Sequence, residues 1–140
     1  MAEVALIILG RMREEARPII QVCGPISTGG LGSVEANSAR FWRSVEVASQ
    51  HEMLVFNQMP FQEAMIRLDK QRGQVGYCTD ILDIFYTRIF QSGHIEEGLF
   101  LPDWEGSVGA RWEREIMKRF GIRITEYPTE WLIEATKTAE

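Results

Sequence analysis

The 140 residues carry 20 acidic against 15 basic side chains, a formal net charge of −5, with 45% hydrophobic and 25% charged residues. A chain of this length and composition buries a proper core as one globular domain and is neither disordered nor fibrous. The acidic balance argues against a nucleic-acid polymer as the main partner, because backbone phosphates are bound chiefly by Lys and Arg; a small anionic metabolite, held by a few N–H groups, stays open.

The opening segment AEVALIILGRMREEARP (residues 2–18) predicts a short amphipathic helix over 1–16, ahead of an α/β domain at 17–140. Its apolar part is too short to span a membrane, and its basic residues follow that part, the reverse of a secretory signal. Cys23 and Cys78 form no C-x-x-C pair, and His51 and His94 lie far apart, so no zinc set is available. A reducing cytoplasm is the simplest compartment for such a chain.

PIIQVC at 18–23 is a short apolar run suited to a buried parallel strand, with Cys23 inside it. GPISTGGLGS at 24–33 is a loop with four glycines. It lacks both the Gly-Lys-Ser/Thr ending of a P-loop and the G-x-G-x-x-G spacing of dinucleotide folds. Two readings remain for it: a turn needing positive φ, and a phosphate cradle between strand and helix. Residues 34–50 then read as a helix with Phe41, Val45 and Ala48 on one stripe.

MLVFN at 53–57 is a second strand, and 60–70 a helix. Residues 77–90 form another helix, with Ile81, Leu82, Ile84, Phe85 and Ile89 as its apolar face. A strand at 98–101 leads to a helix ending at Phe120, whose Trp112, Ile116 and Phe120 form a core stripe. A strand at 122–125 and a helix at 130–138 close the chain. Alternating strands and helices define a single-domain α/β fold, a flavodoxin/Rossmann-like parallel sheet with helices on both faces. Ligands of such sheets sit beyond the carboxyl ends of the strands, where GPISTGGLGS and PDWEGS both fall.

The densest chemistry lies in residues 101–121, LPDWEGSVGARWEREIMKRFG. Ser107 is a natural helix N-cap, and Gly109 and Ala110 lie one turn before Glu113 on the same face. Helical side chains tilt toward the N-terminus, so Glu113 leans over two residues with almost no side chain, leaving room above a carboxylate. The unpaired N–H groups and positive dipole end of the same helix suit an anion. The plainer alternative is a solvated glutamate on an ordinary helix.

VCGPISTGG and LPDWEGSVGARWE together resemble the nucleoside 2-deoxyribosyltransferase superfamily, in particular its small members with a Leu-Pro-x-Trp-x-x-Ser-x-Gly-Ala-x-x-Glu motif. The similarity spans roughly residues 19–127, and the second motif is the specific one. It implies that Glu113 is the nucleophile, attacking the anomeric carbon of a nucleoside and expelling the base. An anion facing the sugar ring suits the oxocarbenium-like transition state.

Further roles follow from the resemblance. Family members acting on free nucleosides carry an aspartate six residues before the nucleophile, whereas a branch hydrolysing nucleoside 5′-monophosphates carries serine; here the residue is Ser107. A carboxylate there would repel a phosphate, and a hydroxyl beside a helix N-terminus binds one. Gly24, Pro25, Ile26, Ser27, Thr28 and Gly109 would complete the binding site. A second carboxylate is expected at the head of the preceding helix: Asp80, then Asp83, with Glu96 or Glu97 as alternatives because FQSGHIEEGLF departs from the family pattern. Trp104 either stacks on base or sugar or pins its turn, and Asn57 is placed for the base edge.

The resemblance thus implies an N-glycosidase of a nucleoside 5′-monophosphate, without cofactor or membrane, assembling as a dimer or larger. Base exchange between deoxynucleosides, a non-catalytic nucleotide-binding module and an interaction protein docking through its N-terminal helix are the other readings.

Overall fold

In a computed structural model, residues 1–71 and 79–137 are described, the side chains at 69, 70 and 79–81 apart. In chain order these are α1 (Ala2–Met12), β1 (Ile19–Cys23), α2 (Val34–Gln50), β2 (Leu54–Val55), α3 (Met59–Gln71), α4 (Thr79–Gln91), β3 (Ile95–Phe100), α5 (Val108–Arg119), β4 (Arg123–Glu126) and α6 (Thr129–Thr136). Short 3-10 turns at Arg13–Glu15 and Trp104–Gly106 precede β1 and α5.

The four strands form one parallel sheet in the order β2-β1-β3-β4, so the protein has the flavodoxin/Rossmann-like α/β architecture expected. β1 is central, and all five of its residues are buried. Strand side chains alternate between faces. Ile19 and Cys23 join the core shared by α1, α4 and α5, while Ile20 and Val22 join the one shared by α2 and α6. Gln21 therefore faces the α5 side. The chain passes from β2, on one side of β1, to β3 on the other, so a topological switch point lies between β1 and β3.

α1 contributes Ala2, Ala5 and Leu9 to the same core as α4 and α5, so the N-terminal helix is packed onto the sheet domain. Its other face leaves Val4, Ile7 and Ile8 exposed. No helix among the described residues is long and apolar enough to cross a membrane.

Several elements differ from expectation. β2 is reduced to two residues, because after it Asn57 Oδ1 accepts from Met59 N and turns the chain into α3. β3 begins at Ile95, three residues before the expected strand. Glu96 and Glu97 therefore belong to the amino half of a strand. A register shift skips Glu96, and Glu97 accepts from Thr125 on β4. On α4, Leu82, Phe85 and Ile89 are buried, but Ile84 is 64% exposed. On α5 the buried positions are Ala110, Glu113, Ile116 and Met117; Trp112 is half-buried and Phe120 is 37% exposed. The inward stripe of α5 thus runs through Glu113, with Trp112 packed at the edge of the core and Phe120 outside it.

The two loops at the carboxyl ends of β1 and β3 close on one another. Gly29 (φ +68°) lies so near Gly106 that a Cβ would stand 2.3 Å from the Gly106 carbonyl oxygen. Gly93 has a similar φ of +80° but open space around it. Gly93→Ala should therefore lose about 1 kcal/mol of stability from backbone strain alone, and Gly29→Ala roughly twice that or more. Urea denaturation of both variants checks this, and equal losses would count against contact between the loops.

Candidate active site

The cleft at the switch point is built by the loop after β1, the start of α5, and residues at or on α2, α3 and α4. Asn37 on α2 shapes the first. Its Nδ2 donates to the carbonyls of Ile26 and Gly29, both at 3.1 Å, and its Oδ1 accepts from Leu31 N at 2.8 Å. The N–H groups of Ser27, Thr28, Gly29 and Gly30 have no partner among the described residues.

Ser107 caps α5 as the sequence suggests: its Oγ accepts from Ala110 N at 3.1 Å. Thr28 reaches across from the other loop, its Oγ1 accepting from Val108 N at 2.9 Å. Two N–H groups expected to greet an anion are therefore already engaged, and Gly109 N remains without a partner among the described residues. The second loop is anchored by Arg40 on α2, whose Nη2 donates to Asp103 Oδ1 at 2.8 Å.

Glu113 is 9% exposed and faces the sheet one turn into α5. Gly98 on β3 lies beneath this helix: a Cβ there would stand 2.5 Å from Met117 Sδ, the flexible end of that side chain. Gln21 Nε2 donates to Glu113 Oε2 at 2.9 Å, and Cys23 Sγ is 3.7 Å from the same oxygen. Burial disfavours the charged carboxylate and pushes its pKa up to about 8; the hydrogen bonds from Cys23 and Gln21 oppose that rise. Burial and the adjacent carboxylate likewise raise the Cys23 thiol well above its ordinary value.

Of the residues singled out in the sequence, Gly24, Ile26, Ser27, Thr28, Ser107, Gly109 and Glu113 line one cleft. Pro25 is buried outside it. Trp104 packs elsewhere: Arg114 lies over its ring at 4.2 Å, and its edge meets Phe100, so the turn is pinned and that face is covered. Asn57 caps α3 instead of facing the cleft. Asp80 lies in the first turn of α4, and its side chain is outside the described residues. Asp83, on the next turn, does not line the cleft. Glu96 and Glu97 start β3, away from its carboxyl end, and Glu96 lines a surface hollow with Arg13 and Arg17 instead.

Four further residues form the wall opposite Glu113's helix: Phe41, Gln58, Gln62 and Tyr86. Tyr86 donates to Gln62 Oε1, and Gln58 Nε2 donates to Val22 O at 2.7 Å. Gln58 Oε1 is buried with no partner among the described residues. In sequence only the i, i+4 spacing of the two glutamines hinted at a shared face. Among the described residues no group of three or more His, Cys, Asp or Glu side chains is placed to hold a metal ion.

The chain matches no family model, no curated protein and no solved structure.

The raised pKa of Glu113 has a stability consequence. Between the ordinary carboxyl value of 4.5 and about 8 the folded state keeps a proton that the unfolded chain has released, so wild-type stability falls as pH rises through that window. Glu113→Gln, which stays neutral, is expected to exceed wild type by about 2 kcal/mol or more at pH 9, the advantage shrinking toward pH 4.5. Urea titrations across pH measure it; a constant difference would mean the carboxylate is not destabilised by burial.

Proposed function

We propose that the protein is an N-glycosidase of nucleoside 5′-monophosphates, with Glu113 as its nucleophile. The observation that carries this reading is a nearly buried carboxylate, held by two donors, on the floor of a cleft between two loops at the switch point of a parallel sheet. A solvated surface glutamate would have neither the burial nor the partners. The resemblance of both loops to the nucleoside 2-deoxyribosyltransferase superfamily supplies the reaction class.

In this reading Glu113 attacks the anomeric carbon, the bond to the base breaks, and its electron pair leaves with the base nitrogen as that is protonated. Water then adds to the anomeric carbon and frees the carboxylate. Ser27, Thr28 and the open N–H groups from residue 27 to 30, with Ser107 and Gly109, are the proposed phosphate site. A neutral hydroxyl at 107 is compatible with a phosphate where a carboxylate would repel it. Gln58 and Gln62, which line the same cleft, are the proposed contacts to the base edge. Asp80, at the head of α4, is the proposed second carboxylate. A cytoplasmic setting and assembly into two or more copies belong to the same proposal, with the exposed aliphatic face of α1 as available surface.

Chromatography of base released from the common ribo- and deoxyribonucleoside 5′-monophosphates and their nucleosides tests this. The expected outcome is release from a monophosphate by wild type and a loss of at least about 10³-fold in Glu113→Ala. Because the nucleophile must be ionised, kcat/KM should rise with pH and level off above about 8, following the carboxyl of the free protein. Release from nucleosides alone would contradict the role given to Ser107. No release from any of them would favour a non-catalytic binding module.

A further inference from the structure

Cys23 is a buried thiol with no part in the reaction above, and Gln21 is a polar side chain inside an apolar strand. Both reach the same atom. Gln21 Nε2 donates to Glu113 Oε2 at 2.9 Å, and Cys23 Sγ stands 3.7 Å from it. The single thiol hydrogen has another acceptor, the Gln21 carbonyl at 3.9 Å, but a carboxylate oxygen carries more negative charge and draws it more strongly. Glu113 Oε1 accepts from no described group, yet it is not among the sealed, unpartnered atoms of the interior. The two oxygens of one carboxyl are therefore inequivalent: one is held by the strand, and one is open to the cleft.

The geometry points to Gln21 and Cys23 as positioning residues that hold Oε2 as the silent oxygen of Glu113 and turn Oε1 toward the anomeric carbon. This inference rests on the glycosidase reading. The terminal torsion of a glutamate is broad, so an untethered carboxyl presents its two oxygens alternately. Two donors on one oxygen remove that freedom before substrate arrives.

They also act after attack. In the glycosyl ester Oε1 bridges to the sugar and Oε2 becomes the carbonyl oxygen. When water bonds to the anomeric carbon and releases a proton, the Oε1–carbon bond breaks and its electron pair returns to the carboxylate. The charge regained at Oε2 then falls on donors already in place. The other titratable group lining the cleft among the described residues is Tyr86 on α4; α2 and the two loops present Phe41, Ser27, Thr28 and Ser107. Few charges other than Glu113 thus complicate a titration of the site.

Glutamate labelled with carbon-13, with the Glu113 signal assigned by its loss in Glu113→Gln, reports the carboxyl titration directly. The pH profile of base release reports it through activity. Cys23→Ala and Gln21→Met are each expected to move both midpoints upward by about one pH unit. Cys23→Ser, which keeps a donor, should recover at least about half of the shift seen in Cys23→Ala. The variants are independent, so a folding failure in one, seen by circular dichroism, leaves the other decisive. Unchanged midpoints in Cys23→Ala and Gln21→Met, or a Cys23→Ser no nearer wild type than Cys23→Ala, would overturn the proposal. A wild type that releases base from no nucleotide would instead remove the glycosidase reading, while the carbon-13 titration still decides whether the two donors hold Oε2.

Discussion

A carboxyl group carried into a protein interior needs donors, and here they come from the most immobile element of the fold. β1 lies between two parallel neighbours with every residue buried, so side chains at its alternate positions 21 and 23 are fixed by the ladder itself. Glu113 reaches them from α5, whose Met117 side chain lies against Gly98. Without those donors the carboxyl would be an unpaired polar group in a low-dielectric core. Burial at this junction between strand and helix raises the pKa of the carboxyl, and the two donors there oppose that rise.

The loops above the carboxyl are assembled with similar economy of parts. α2 supplies one amide and one guanidinium: Asn37 shapes the first loop from within, and Arg40 tethers the second through Asp103. Thr28 then stitches the first loop to the opening of α5, and the backbone contact of Gly29 with Gly106 completes the seam. Groups held this way need little reordering when a ligand arrives, which is the physical meaning of preorganisation. The same stitching uses two N–H groups that a bare helix start would have offered, so any anion must look to the loop following Ile26 and to Gly109.

The alternation of apolar runs with helical stripes was enough to recover a parallel α/β sheet, because each buried strand is short, apolar and followed by a turn. Both loops and Glu113 were legible for a local reason: glycines and an N-cap serine are punctuation that acts within a few residues. What stayed hidden depends on distance. Nothing local marks Gln21, whose partner lies 92 residues away. Gln62 and Tyr86 belong to helices whose rotation about their own axes is set by packing, and Gln58 precedes the first of them. Trp104 was ambiguous because its ring is claimed by Arg114, ten residues on, and Asn57 sits beside the glutamine that does line the cleft. The partner of Glu97, Thr125, lies on a neighbouring strand and leaves no local signal.

The register of the central strands has a bearing on how the molecule comes into being. Ile19 pairs with Ile95 and Cys23 with Phe100, so the middle of the sheet is closed only after more than half the chain has been made. Closing so long a loop is entropically unfavourable, and parallel pairing offers no short hairpin to nucleate it. During synthesis β1 emerges with one edge still unclaimed, and its apolar row must wait for β3. The junction of Gln21 and Cys23 with Glu113 cannot form before then: a nascent chain lacking β3 and α5 has neither the floor of the cleft nor the carboxyl.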